Sequence, residues 1–197
     1  MAGYGGKSEY PVDLIAEYQE RVNRFLWLVK WLLLIPHFIV LWLLSLPAII
    51  TTPLSWLAVV ILGRYPSYLW AYHAGLLRWG WRVSYYSYEA GNTDRYPPFS
   101  FRSREDYPAD LAVEYSETSS RLTGFFRWLL IIPHWIVTAI LSEIAGILVL
   151  FALIIVLFTG RYPKGLFDII MGLNLWIYRV QAYGWLLVDK YPPFSFD

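Results

Sequence analysis

The sequence predicts a mainly α-helical integral-membrane protein made of two parallel tandem repeats. Each repeat reads as a short strand, an apolar helical hairpin, an interfacial aromatic helix and an extended Tyr-Pro-Pro-Phe tail. Three observations carry this. The 197 residues are 57% hydrophobic and 19% aromatic but only 16% charged, where an ordinary soluble domain carries about 25% charge. Two apolar stretches, 31–63 and 128–160, contain a single charged residue between them, Glu143. Adding 97 to a residue number lands on its counterpart through most of the chain, as with Trp31-Leu32-Leu33-Leu34-Ile35-Pro36-His37 and Trp128-Leu129-Leu130-Ile131-Ile132-Pro133-His134.

The boundaries follow from that repeat: an N-terminal tail at 1–9, repeat one at 10–101, a linker at 102–106 and repeat two at 107–197. The first two dozen residues are polar, and the apolar run after them is too long for a cleaved signal core. Each repeat opens on an alternating segment, Val12, Leu14, Ala16 and Tyr18, then Ala109, Leu111, Val113 and Tyr115. Period-two alternation marks a half-buried strand, and it places Asp13, Glu17, Asp110 and Glu114 on a solvated face.

As one helix, each apolar stretch would be roughly 50 Å long, against about 30 Å of hydrocarbon. Folding it into a hairpin moves Glu143 from the bilayer centre, where it costs about 3 kcal/mol, to a turn. Ser45, Leu46 and Pro47 stand at the matching place in repeat one, and proline favours a break. The aromatic segments 67–88 and 165–188 carry the tryptophans, tyrosines and arginines of a membrane–water interface. The tails end each repeat in an extended form, because two prolines exclude a helix. Arg24, Lys30, Arg64 and Arg82 recur as Arg121, Arg127, Arg161 and Arg179. With two spans per repeat these gather on one face. The expectation is four spanning or deeply inserted helices, with both termini cytoplasmic.

His37 and His134 are equivalent positions in apolar helices, and two symmetric imidazoles suit the axial ligation of a b-type haem or contact with a quinone. The competing role is structural, each ring meeting backbone freed by the preceding proline. No resident cofactor is otherwise indicated, and no metal-ligand spacing occurs. Arg64, Arg161, Arg82, Arg179, Tyr65 and Tyr162 are expected at lipid headgroups, the arginines on phosphate and the tyrosines in the interfacial belt. His73 has Ile170 as its counterpart and belongs to no symmetric site. The absence of cysteine excludes disulfides and thiolate chemistry. A net charge of +1 gives no basic face for nucleic acid. No phosphate loop, nucleophile elbow or paired-histidine metal motif appears, so the chain reads as non-enzymatic.

Ile-Pro-His, Gly-Arg-Tyr-Pro (Phe-Thr-Gly-Arg-Tyr-Pro at 158–163) and the closing Asp-Arg-Tyr-Pro-Pro-Phe or Asp-Lys-Tyr-Pro-Pro-Phe together resemble a bacterial integral-membrane domain family of unknown function. Repeat one departs from it with Ile61-Leu62 before Gly63 and with two extra residues ahead of its tail. The resemblance implies a protein of the bacterial cytoplasmic membrane, often with tandem copies, and no known activity. The leading expectation is an accessory or scaffolding subunit of a larger membrane assembly, with lipids and other subunits or further copies of itself as partners. Haem or quinone binding, and lipid binding with bilayer shaping, are the alternatives.

Overall fold

The computed structural model describes residues 10–194, so the 1–9 tail and the last three residues of the second tail lie outside the described residues. Strands β1 (Val12–Ala16) and β2 (Ala109–Val113) pair antiparallel, with Val12 opposite Val113 and Leu14 opposite Leu111. Leu111 is the repeat equivalent of Leu14, so the pairing is centred on a pseudo-two-fold axis. Among the described residues neither repeat holds a second strand to pair with its own, and each obtains its partner from the other.

After a 3-10 turn at Leu26–Leu28, repeat one forms α1 (Lys30–Leu33), α2 (Ile35–Ser45), α3 (Ala48–Leu62) and α4 (Ser67–Tyr86). Repeat two forms α5 (Arg121–Leu130), α6 (Ile132–Thr159) and α7 (Lys164–Gly184). Pro36 and Pro133 sit in the first turns of α2 and α6, where a missing N–H costs nothing. Gly63 and Gly160 end α3 and α6 in the left-handed conformation, at φ +69° and +72°, a geometry that glycine adopts without strain.

The hairpins predicted at Leu46–Pro47 and Glu143 are not formed. In repeat two, α6 runs unbroken for 28 residues through Glu143, because nothing between Leu141 and Ile147 removes a backbone donor. In repeat one, Pro47 does break the helix, but α2 and α3 are bent by only 46°. The chain reverses instead at the Gly-Arg-Tyr-Pro turns, and α7 packs back along α6. One helix among the described residues is long and apolar enough to cross a membrane, or two if α2 and α3 count as one bent span.

The aromatic helices also differ from expectation. Every residue of α7 from Ile170 to Val180 is buried, and α4 buries Trp79, Trp81, Tyr85 and Tyr86. A helix enclosed on all sides is a core element rather than an interfacial one. Each lies under the other repeat's strand, α4 on β2 and α7 on β1.

The repeats are not parallel. Arg24, at the entry of the first apolar stretch, lies against Gly160 at the exit of the second, while Arg121 lies against Gly63. Tyr18 donates a hydrogen bond to the Tyr162 carbonyl and Tyr115 to the Tyr65 carbonyl. The two apolar segments therefore run in opposite directions between the same two ends of the molecule. The basic residues expected on one face are divided between those ends. The residues flanking β1 reach toward both ends: Tyr10 donates to the Lys190 carbonyl, and Tyr18 to the Tyr162 carbonyl. Three layers result, the two-stranded sheet, the buried α4–α7 pair, and the apolar α2–α3 and α6.

Candidate functional site

Each Ile-Pro-His histidine is sealed in an aromatic box built by its own repeat. The His37 ring stacks on Phe99, with centroids 3.8 Å apart and planes 12° apart, and meets Tyr96 at 4.9 Å and the edge of Trp79 at 5.8 Å. His134 stacks on Phe194 at 4.4 Å and 12°, beside Tyr191 and Trp176. The tail explains its own composition. Two prolines hold it extended, so that tyrosine and phenylalanine, three residues apart, clasp one imidazole. The tyrosine hydroxyls anchor the tail to the turn before the histidine, Tyr96 on the Leu33 carbonyl and Tyr191 on that of Leu130.

The boxes differ in polarity. Trp79 Nε1 donates to His37 Nδ1 at 3.0 Å, whereas neither nitrogen of His134 has a hydrogen-bond partner among the described residues. Both rings have no accessible surface, and no contact joins one to the other. In this arrangement neither presents a nitrogen to a haem iron or to a quinone.

A second pair of equivalents, which sequence reasoning placed at the membrane boundary, is internal. Lys30 Nζ donates to the carbonyls of Gly91 and Thr93 and lies 4.6 Å from the Tyr86 ring. Arg127 donates to the carbonyls of Tyr183 and Val188, pairs with Asp189 at 2.7 Å, and covers the Tyr183 ring at 4.4 Å. Burial pushes the Lys30 ammonium down to about 8, partly offset by Asp94. Asp94 and Asp189 accept from the backbone N–H of Asn23 and Ser120, tying each tail to the start of its own repeat's apolar segment. The recurring Asp of Asp-Arg-Tyr-Pro-Pro-Phe was the available signal, since an acid fixed before a rigid tail requires a donor.

Of the residues expected at headgroups, Arg64 and Arg161 are exposed. The other four are not. Arg82 is fully buried and donates to the carbonyls of Ser100 and Arg102. Arg179 is fully buried, 5.3 Å from the Tyr10 ring. Tyr65 and Tyr162 point inward, Tyr65 onto His73 Nδ1 at 2.8 Å and Tyr162 onto the Ala90 carbonyl at 2.6 Å. The helices they cap or belong to form the core, so tertiary carbonyls take the place of phosphate. Asp110 is likewise buried, accepting from the Ser103 hydroxyl and facing Arg78 at 3.5 Å. His73 sits among Tyr65, Thr51 and Thr52, and burial lowers its pKa. Among the described residues no group of three or more His, Asp or Glu side chains could hold a metal.

Outside the core, the α2–α3 and α6 layer exposes large apolar side chains, among them Trp42, Ile49, Ile50, Ile61, Trp135, Ile136, Phe151 and Phe158. Only a third of the most apolar window of α6 is buried. A soluble monomer rarely exposes a contiguous apolar patch beyond a few hundred Å².

The family described as a domain of unknown function (DUF4389) matches residues 26–100 and again 121–195, one match in each repeat. The matched segments contain both histidine boxes and both buried cations, and they leave out the strands. No curated protein and no solved structure matches the chain.

Proposed function

We propose that this chain, which belongs to the DUF4389 family through both of its repeats, is a non-enzymatic protein of the bacterial cytoplasmic membrane. It embeds its apolar helices in one leaflet and there binds and shapes the lipid. One observation carries the reading: β1 and β2 pack on α7 and α4, and α6 and α2 pack on those same two helices, so the sheet lies beside the apolar layer rather than beyond its end. If α6 crossed the bilayer, the sheet beside it would lie in hydrocarbon, with the exposed carboxylates of Glu17 and Glu114 just past its two ends. Exposed charges at that depth are costly. With the pseudo-two-fold axis along the membrane normal, α2–α3 and α6 lie in the leaflet and the sheet faces water. A wedge of bulky apolar side chains in a single leaflet favours curvature. The histidine boxes then serve as clasps that return each tail to the entry of its apolar helix.

The chain has no cysteine, so single-cysteine variants test this cleanly. Ser67→Cys and Lys164→Cys mark the two ends. A membrane-impermeant maleimide is expected to label both from the cytoplasmic side only, in inverted vesicles and not in spheroplasts. Labelling from opposite sides would mean that the apolar helices cross.

A second reading, the accessory subunit, is favoured by Glu143. This carboxylate stands exposed within the apolar surface of α6, one turn from Gly146, above which there is open space. A neighbouring helix bearing a donor would satisfy it. Native mass spectra of the complex released from its own membranes test this, and added mass from another chain is the expected result.

A further inference from the structure

The exit of α6 carries a feature that the core does not use. Residues Arg21, Arg24 and Arg161 line one cleft of about 560 Å³ at the Gly160 turn, together with Asn23, Phe25 and Thr159. Backbone pairing brings two of them together: Arg21 and Arg161 form an isolated antiparallel bridge, continued where the Tyr162 N–H donates to the Glu20 carbonyl at 2.8 Å. Residues opposite each other in such a bridge hold their Cβ atoms about 5 Å apart, and like charges placed there repel. The third guanidinium is pressed onto the turn. Arg24 Nε stands 2.9 Å from where a Cβ on Gly160 would be, and its terminal nitrogen donates to the Thr159 carbonyl at 3.3 Å. The acidic side chains beside the cleft are Glu20, 3.7 Å from Arg161, and Asp94, which is occupied by the Asn23 N–H. Three cations thus converge with incomplete neutralisation, next to the exposed rings of Phe25 and Phe158.

We propose that this cleft binds the phosphate of an anionic phospholipid, held by the guanidinium groups of Arg21, Arg24 and Arg161. Guanidinium forks match phosphate oxygens in geometry and charge. A bridging anion converts the Arg21–Arg161 repulsion into shared attraction, while Phe25 and Phe158 lie where the acyl chains leave the headgroup. The opposite end of the molecule supplies an internal comparison. There the equivalents of Arg24 and Arg161 are Arg121 and Arg64, but Thr118 stands where Arg21 does. The stronger site is therefore assigned to the Gly160 end.

The inference rests on the one-leaflet reading, and vesicle flotation of the full chain separates the two. Wild-type protein is expected to float with phosphatidylcholine vesicles and to partition about tenfold more strongly when phosphatidylglycerol is added. Arg21→Thr combined with Arg161→Gln is expected to abolish that preference while still floating with phosphatidylcholine. Arg64→Gln, at the equivalent turn, is expected to keep it. Flotation without an anionic preference, or an equal loss in Arg64→Gln, would overturn the lipid site and leave the membrane reading standing. Failure to float at all would overturn both. Competition by millimolar inorganic phosphate as strong as that by phosphatidylglycerol would make the ligand free phosphate and overturn the lipid assignment.

Discussion

The two repeats hold the same motifs in the same order, yet they handle two problems differently. In repeat one the apolar segment breaks at Pro47 and carries Pro53 inside α3, whereas the equivalent residues in α6 are Ile144 and Leu150 and the helix is unbroken. In repeat one the buried cation at the entry of the apolar segment is Lys30, held by two carbonyls. In repeat two it is Arg127, held by two carbonyls and a carboxylate. Even the chain reversal before the tail differs: Gly91 at φ +67° is matched by Leu186 at φ +61°, the one non-glycine residue with positive φ among those described. Duplication thus preserved the contact scheme while the chemistry at each contact drifted. Whatever both repeats keep, the clasp, the tail anchor and the capped turn, is what the shared architecture requires.

Removing the better-paired cation is expected to be the most damaging way to test that comparison. Arg127→Met removes the donor to Asp189 Oδ1 and to the Tyr183 and Val188 carbonyls, and because Asp189 is partly exposed the expected cost is about 3 kcal/mol, the lower end for a broken buried pair. Thermal melting in detergent is expected to show a large drop, with a smaller one for Lys30→Met.

The lysine adds a pH signature. Its folded pKa of about 8 lies below its ordinary value of 10.5, so the unfolded chain binds more protons between those values, and stability rises with pH across that window. The full linkage is about 3 kcal/mol, most of it gained between pH 8 and 10, before tyrosine ionisation intervenes. Wild type is expected to gain stability between pH 8 and pH 10 relative to Lys30→Met; identical profiles would show that Lys30 is not buried as a cation.

Exchanging the helix break probes the other difference. Ile144→Pro removes an interior hydrogen bond from α6 and is expected to cost about 3 kcal/mol. Pro47→Ile is expected to lengthen the separation of spin labels at residues 38 and 61 toward that of their equivalents, 135 and 158. The smallest effect separates the two clasps. His37→Phe keeps the ring stack but loses the bond from Trp79 Nε1, for about 1 kcal/mol. His134→Phe gives up no hydrogen bond among the described residues and is expected to be close to neutral in the same melting assay.

Much of this was legible in the residues. Alternation in 12–18 and 109–115 announced both strands, glycine followed by Arg-Tyr-Pro announced the ends of both apolar helices, and the offset of 97 announced the duplication. The aromatic segments misled because tryptophan, tyrosine and arginine are equally at home in an interface and in a core rich in backbone carbonyls. Composition does not distinguish Arg82 on phosphate from Arg82 on the Ser100 carbonyl. Glu143 misled because a charge in an apolar run suggests a turn, while a helix is broken by a residue such as proline that removes a backbone donor. The histidines were recognised as paired, but the rings that enclose them lie 42 to 62 residues away along the chain.

By itself, the sequence determined the helical composition, the duplication, the strands, the ends of the apolar helices and the high apolar content, because each is set by local pattern or by totals. Only the tertiary structure decided that the repeats exchange strands about a two-fold axis and run in opposite directions. It alone placed the motif arginines and tyrosines inside, closed each tail on its histidine, and brought Arg21 opposite Arg161. Those outcomes depend on which distant backbone groups become partners, and a linear pattern of residue types does not contain that information.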